Sequence, residues 1–153
     1  MPEAQLIPLP TPFPVGPVNA YLLPGPEPIL IDPGLRWPEA DQALTAGLEE
    51  HGLQLEDIRH VLLTHRHVDH SGAAAHICRV SGAILHAHRA NHWFSDEDER
   101  EDPELVAFLL RCGVEAALLE QVQALFEMSP SLWGQDKFSG VRQILPDGAE
   151  LAP

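Results

Sequence analysis

Residues 59–72, RHVLLTHRHVDHSG, constrain this chain more than any other stretch. The run Arg59 to Thr64 reads as a buried strand, and the small residues from Gly72 to about Val80 read as a helix. Between them stand four side chains able to bind a metal ion: His65, His67, Asp69 and His70. His65 and His67 are two residues apart, so in an extended or loosely turned backbone their imidazoles point the same way. Asp69 and His70 follow across a tight turn and can face a second position nearby. One loop then offers two nitrogens to one metal, and a carboxylate with a nitrogen to another. That donor set suits zinc, with iron or manganese as alternatives. The plainer reading is a polar surface loop with incidental histidines. Four ligand-type residues framed by strand and helix weigh against it.

The remaining pattern places this segment in an α/β architecture. Gln5 to Leu9, Val18 to Leu23 and Pro28 to Asp32 read as strands, and Asp32-Pro33-Gly34 is turn chemistry. Pro38 suits the first turn of a helix, with Glu39 and Asp41 near its positive end. Ala40, Leu44 and Leu48 give that helix an apolar stripe, and Gly52 stops it. Ala83 to Ala87 is another strand. The order strand, helix, strand, helix, strand argues for a layered sheet. After His92 the character changes. Residues 96–102 hold six acids and one arginine, a solvated loop or helix entry. A helix then opens at Asp102-Pro103-Glu104, with Leu105, Leu109 and Cys112 on one side and Gly113 at its end. A second follows with Val114, Leu118, Val122 and Leu125 or Phe126 on one face. These two helices form an insert over about 92–140, and Val141 to Leu145 returns to strand before a Pro146-Asp147-Gly148 turn.

Composition closes off several function classes. At 153 residues the chain suffices for one domain with a real core. A net charge of -14 repels phosphate backbones, so nucleic-acid binding through a basic patch is not expected. Cys78 and Cys112 form no CxxC pair, which excludes a disulfide scaffold and suits a reducing compartment. The uncharged part of the N-terminal region is broken by Pro8, Pro10, Pro12, Pro14, Pro17, Pro24 and Pro26, so it is not a membrane span. No signal-peptide pattern precedes it, and the expectation is a cytoplasmic protein. Serine nucleophile elbow, P-loop and dinucleotide-binding glycine motifs are missing from the sequence.

With these residues on the page, the sequence resembles the metallo-β-lactamase-fold superfamily, whose signature is H-x-H-x-D-H. The match is complete at His65, His67, Asp69 and His70. Upstream, Val18-Asn19-Ala20-Tyr21-Leu22-Leu23 and Ile29-Leu30-Ile31-Asp32-Pro33-Gly34 look like the family's early strands and its turn aspartate. The likeness covers about the first ninety residues well and the insert only by analogy. It implies an αββα sandwich and a site for two divalent metal ions, zinc first and iron or manganese as alternatives. His65 and His67 would bind the first metal, Asp69 and His70 the second. Asp69 would also orient a metal-bound hydroxide and move a proton. Asp32 would either steady the ligand loop through hydrogen bonds or simply cap its turn. The family's remaining ligands fall beyond Pro153, so the expectation is one domain, C-terminally incomplete, holding the N-terminal half of the sandwich, the insert and half a metal site.

Function follows from the same resemblance. The first expectation is a metal-dependent hydrolase of a small molecule, a thioester, lactone or similar ester. Iron-dependent redox chemistry on the same fold, or a non-catalytic metal- or partner-binding module, are the alternatives. Neither nucleic acid nor membrane is an expected partner. A half-sandwich leaves an apolar sheet face uncovered, which predicts self-association or cover by further chain. His86 and His88 lie on one face of their strand and Leu85 and Ala87 on the other. His88 either lines the pocket or is a partly exposed strand-end residue. His51, His60 and His76 carry no argument. Trp93, Phe94, Met128, Trp133 and Phe138 either cap the site or pack the insert.

Overall fold

The computed structural model describes residues 3–13, 16–88, 103–120 and 140–153. It divides into two units, Met1–Asn91 with Ser131–Pro153, and His92–Pro130. The first unit carries a six-stranded sheet in the order β1-β2-β3-β4-β5-β6: Gln5–Leu9, Val18–Leu23, Ile29–Ile31, His60–Leu63, Ile84–His88 and Arg142–Leu145. The first three strands pair antiparallel and the last four parallel. Parallel neighbours need long crossovers. Helix α1 (Pro38–Glu49) supplies one, and α2 (Val68–Ser71) with α3 (Ala74–Ser81) the next.

Side-chain alternation decides which face is buried. Along β2, Val18, Ala20 and Leu22 are buried while Asn19 and Tyr21 are exposed. The register puts Ile7, Ala20, Leu30, Val61, Leu63, Leu85 and Ala87 on one face, all buried. Against it α1 turns Ala40, Leu44 and Leu48, and α3 turns Ala74, Ile77 and Cys78. Two glycines mark close approach in this packing. A Cβ on Gly47 would stand 2.6 Å from an Ile7 methyl, and one on Gly72 would stand 3.0 Å from Leu35 Cα. The opposite sheet face leaves Leu6 and Tyr21 exposed, at 53% and 39%.

The helix after the ligand loop differs from expectation. It does not begin at Gly72, because a first turn already forms at Val68. Ser71 N–H donates to His67 O at 2.9 Å and Gly72 N–H to Val68 O at 2.8 Å. Asp69 and His70 therefore sit on a helical turn rather than across a tight turn. An acid in a first turn is electrostatically favoured, which helps explain why the helix starts early. The chain breaks between α2 and α3 at Gly72-Ala73, where Gly72 is pressed against Leu35.

In the second unit, α4 spans Pro103–Arg111, and Gly113 (φ +87°) ends it. Cys112 is exposed rather than part of an apolar stripe. Beyond it Val114 and Leu119 are half-buried and Leu118, expected on the face of Val114, is exposed. The acidic run 96–102, Trp93, Phe94, Val122, Leu125, Phe126, Met128, Trp133 and Phe138 lie outside the described residues. Among the described residues no helix is long and apolar enough to cross a membrane.

Candidate metal centre

The ligand loop leaves the carboxyl end of β4, the edge of a parallel sheet at which α/β folds place ligands. Beside it, β3 ends in Asp32-Pro33-Gly34. Asp32 adopts φ +48°, a conformation that aspartate tolerates better than most side chains. This turns its buried carboxylate toward the start of the loop. Asp32 Oδ1 accepts the Thr64 backbone N–H at 2.8 Å, and Oδ2 accepts the Thr64 hydroxyl. Two backbone bonds fasten the same turn to the far side of the loop. Gly34 N–H donates to His70 O at 3.2 Å, and Gly34 O accepts from Ala73 N–H at 2.8 Å. Gly34 has φ +84°, which leaves little alternative to glycine there. Ser71 Oγ adds a bond to Arg66 O at 3.1 Å across the loop itself.

These restraints bring His65 and His70 together, with His67 and Asp69 beside them. The His65 ring lies between the other two imidazoles, 4.8 Å from His67 and 4.3 Å from His70 between ring centroids. Asp69 Oδ2 lies 3.7 Å from His70 Nε2. The same-side placement expected of His65 and His67 is thus present, and Asp69 with His70 forms the neighbouring pair.

The hydrogen bonds also set which nitrogen each ring presents. His70 Nδ1 lies 3.2 Å from Asp32 Oδ2, so it carries the proton and leaves Nε2 bare on the side of Asp69. The Thr64 hydroxyl gives its one proton to Asp32, so it can only accept at His65 Nδ1, 2.9 Å away. His65 then also presents a bare Nε2. Burial, then His70, then His67 push the His65 imidazole below its ordinary pKa, against the opposing pull of Asp32 and Asp69. A neutral imidazole is the form a metal binds. Ligand atoms of Asp32, His65 and His70 all lie within 4.8 Å of one another. The oxygens of Asp32 already accept three hydrogen bonds, however, so it serves better as an orienting group than as a ligand. Carboxylates behind ligating histidines commonly have that role. His67 and Asp69 stand beside this group, and nitrogen with carboxylate donors are the kind of set a divalent metal takes.

His86 and His88 lie on the face of β5 opposite Leu85 and Ala87, as the alternation predicts. His88 is half-exposed, as expected of a strand-end residue, and lines a shallow cleft of about 270 Å³ with Thr64, Leu145 and Asp147. Its Nε2 lies 2.6 Å from Asp147 Oδ1. His86 is fully buried and hydrogen-bonded to His60, which the sequence offered no reason to single out. His76 Nδ1 is bonded to Arg79. The contribution of Thr64 was also not foreseen. Its only sequence signal is its place at the strand end, next to the first histidine.

Comparison with known proteins agrees with this geometry. The model of the metallo-beta-lactamase superfamily matches residues 13–141. A metallo-beta-lactamase family protein from Thermus thermophilus has a similar structure, with a TM-score of 0.72 and 29% identity. That similarity covers 99% of this chain and 48% of the Thermus chain. The probable metallo-hydrolase YqjP of Bacillus subtilis (strain 168) is 47% identical over 64 residues, 42% of this chain. The chain spans only 20% of that relative's length. A strand-loop-helix segment with four metal-ligand side chains, a fold similar to that of the Thermus protein and a family match across most of the sequence lead to one conclusion: this chain belongs to the metallo-beta-lactamase superfamily.

Proposed function

We propose that the complete protein is a metal-dependent hydrolase of a small molecule, a thioester, lactone or similar ester. In this reading His65, His67, Asp69 and His70 hold two divalent ions, zinc first, with iron or manganese as alternatives. The observation that supports it is the His65 ring packed against those of His67 and His70, with His65 and His70 held so that Nε2 is bare and Asp69 beside His70. When bound, such ions polarise a carbonyl oxygen and lower the pKa of a coordinated water. The chain's own residues do the rest. Asp32 and Thr64 hold His65 and His70 in one tautomer. Asp69 supplies a carboxylate on the same side as His70 Nε2 that can take or return a proton. The surface charge of -14 favours a small, neutral or weakly charged substrate over a polyanion.

The test is metal analysis of the full-length protein beside a variant carrying His65→Ala, His67→Ala, Asp69→Ala and His70→Ala. Assays on thioesters, lactones and simple esters accompany it. The expected result is bound zinc and ester-class turnover in the parent, and neither in the variant. Metal retained by the variant would remove the assignment. Iron with a visible absorption band would instead favour redox chemistry on the same fold. Metal without turnover of any ester would favour a non-catalytic module.

A further inference from the structure

A second group of ionisable side chains lies on the sheet face opposite α1 and α3, separate from the ligand loop. His86 on β5 is 1% exposed, and its Nε2 lies 2.9 Å from Nδ1 of His60 on β4. On the other side of the His60 ring, Nε2 lies 3.5 Å from Glu27 Oε2. His86 Nδ1 is buried and has no hydrogen-bond partner among the described residues.

Tautomer chemistry orders this chain of groups. The Glu27 carboxylate can only accept, so it favours a proton on His60 Nε2. A neutral His60 then presents a bare Nδ1, His86 Nε2 donates to it, and His86 Nδ1 is left as a bare lone pair. Among the described residues, the groups around His86 offer little to hold a positive charge. On β4 its neighbours are His60 and Leu62, and on β6 it is paired with the uncharged Gln143. Two residues along β5, His88 is engaged by Asp147. The one carboxylate in the group, Glu27, touches the far nitrogen of His60.

We propose that the His60–His86 ring pair, with the Glu27 carboxylate beside it, forms an acid-sensitive latch between β4 and β5, both rings neutral and sharing one directed hydrogen bond at neutral pH, released when the pair takes up a proton. Adding the proton at His86 Nδ1 makes an N–H bond and buries an imidazolium whose closest ionisable partner is another imidazole. Adding it at His60 Nδ1 reverses the shared bond and leaves His86 with a buried, unpartnered N–H. Either route gives up the neutral arrangement. Burial first, and His60 second, hold the His86 imidazole below the ordinary histidine range. The unfolded chain therefore binds more protons than the folded one just below the free-histidine value of 6.5. The stability present above that value is lost as pH falls toward the folded-state value. The latch is independent of the metal reading, because none of its three residues belongs to the ligand loop.

The experiment uses the full chain after chelator treatment. Ring nitrogen NMR follows His86 from about pH 8 to about pH 5, and thermal unfolding is recorded over the same range for the parent, His86→Gln and His60→Asn. The latch is supported by an Nε2–H tautomer for His86, a titration midpoint below the free-histidine value, and a Tm decrease in His86→Gln smaller than the parent's by about 2–4 °C. An Nδ1–H tautomer, titration at or above the free-histidine value, or parallel Tm decreases in parent and variants would overturn it. The NMR titration of the parent decides the matter even where a variant fails to fold.

Discussion

The Asp32 carboxylate accepts both the backbone N–H and the hydroxyl of Thr64, thirty-two residues further along the chain. This pair of hydrogen bonds ties the end of β3 to the end of β4 at the residue where the ligand loop begins. Because Asp32 Oδ2 also meets His70 Nδ1, one buried carboxylate sets the tautomers of two imidazoles, directly for His70 and through the Thr64 hydroxyl for His65.

Replacing Asp32 by Asn keeps its size but puts an amide NH2 where one acceptor stood. Zinc affinity is expected to fall about 10–100-fold, the usual effect of losing a carboxylate behind a histidine ligand. Competition with a chromophoric chelator measures it, with circular dichroism to verify that the fold persists. An unchanged affinity would show that Asp32 merely caps its turn.

Gly72→Ala tests the packing that holds the loop. The added methyl would stand 2.7 Å from Val68 O and 3.0 Å from Leu35 Cα, both backbone atoms that cannot swing aside. A loss of about 1–3 kcal/mol is expected by urea unfolding, the range for overpacking a close contact.

The two cysteines should behave oppositely. Cys78 is buried, and its thiol is pushed up to about 12 by burial, whereas Cys112 is exposed. A thiol reagent at mildly alkaline pH is expected to modify Cys112 alone in the native protein and both after denaturation. Fast native modification of Cys78 would contradict its placement in the core.

The two sheet faces give a further contrast. Leu30 is fully buried under the helices, so Leu30→Ala is expected to cost about 2–5 kcal/mol. Leu6 on the opposite face is exposed, so Leu6→Ser should change monomer stability by no more than about 0.5 kcal/mol. If that face mediates self-association of this chain, Leu6→Ser combined with Tyr21→Ser should reduce it in sedimentation velocity. Equal association of parent and double variant would remove the face from that role.

Much of this was legible beforehand. The alternation in Val18–Leu23 foretells which residues β2 buries, and Pro38, Leu44, Leu48 and Gly52 bound α1 closely. The ligand loop was identifiable because four ligand-type residues fall within six positions between a strand and a helix. The early turn of α2 was hidden, since His-Val-Asp-His reads equally as loop or helix until Gly72 is packed against Leu35. After α4, Val114 is half-buried as its stripe predicts, whereas Leu118 is exposed.

What the sequence by itself determined is the set of local events: where strands alternate, where glycine and proline stop them, and which side chains could bind metal. Those depend on residues within a few positions of each other. Tertiary structure alone decided that Asp32 meets Thr64 and His70, and that His60 meets His86. These meetings join residues 26 to 38 positions apart. They depend on the register of parallel neighbours and on which face the helices cover, and no short-range pattern in the chain encodes either.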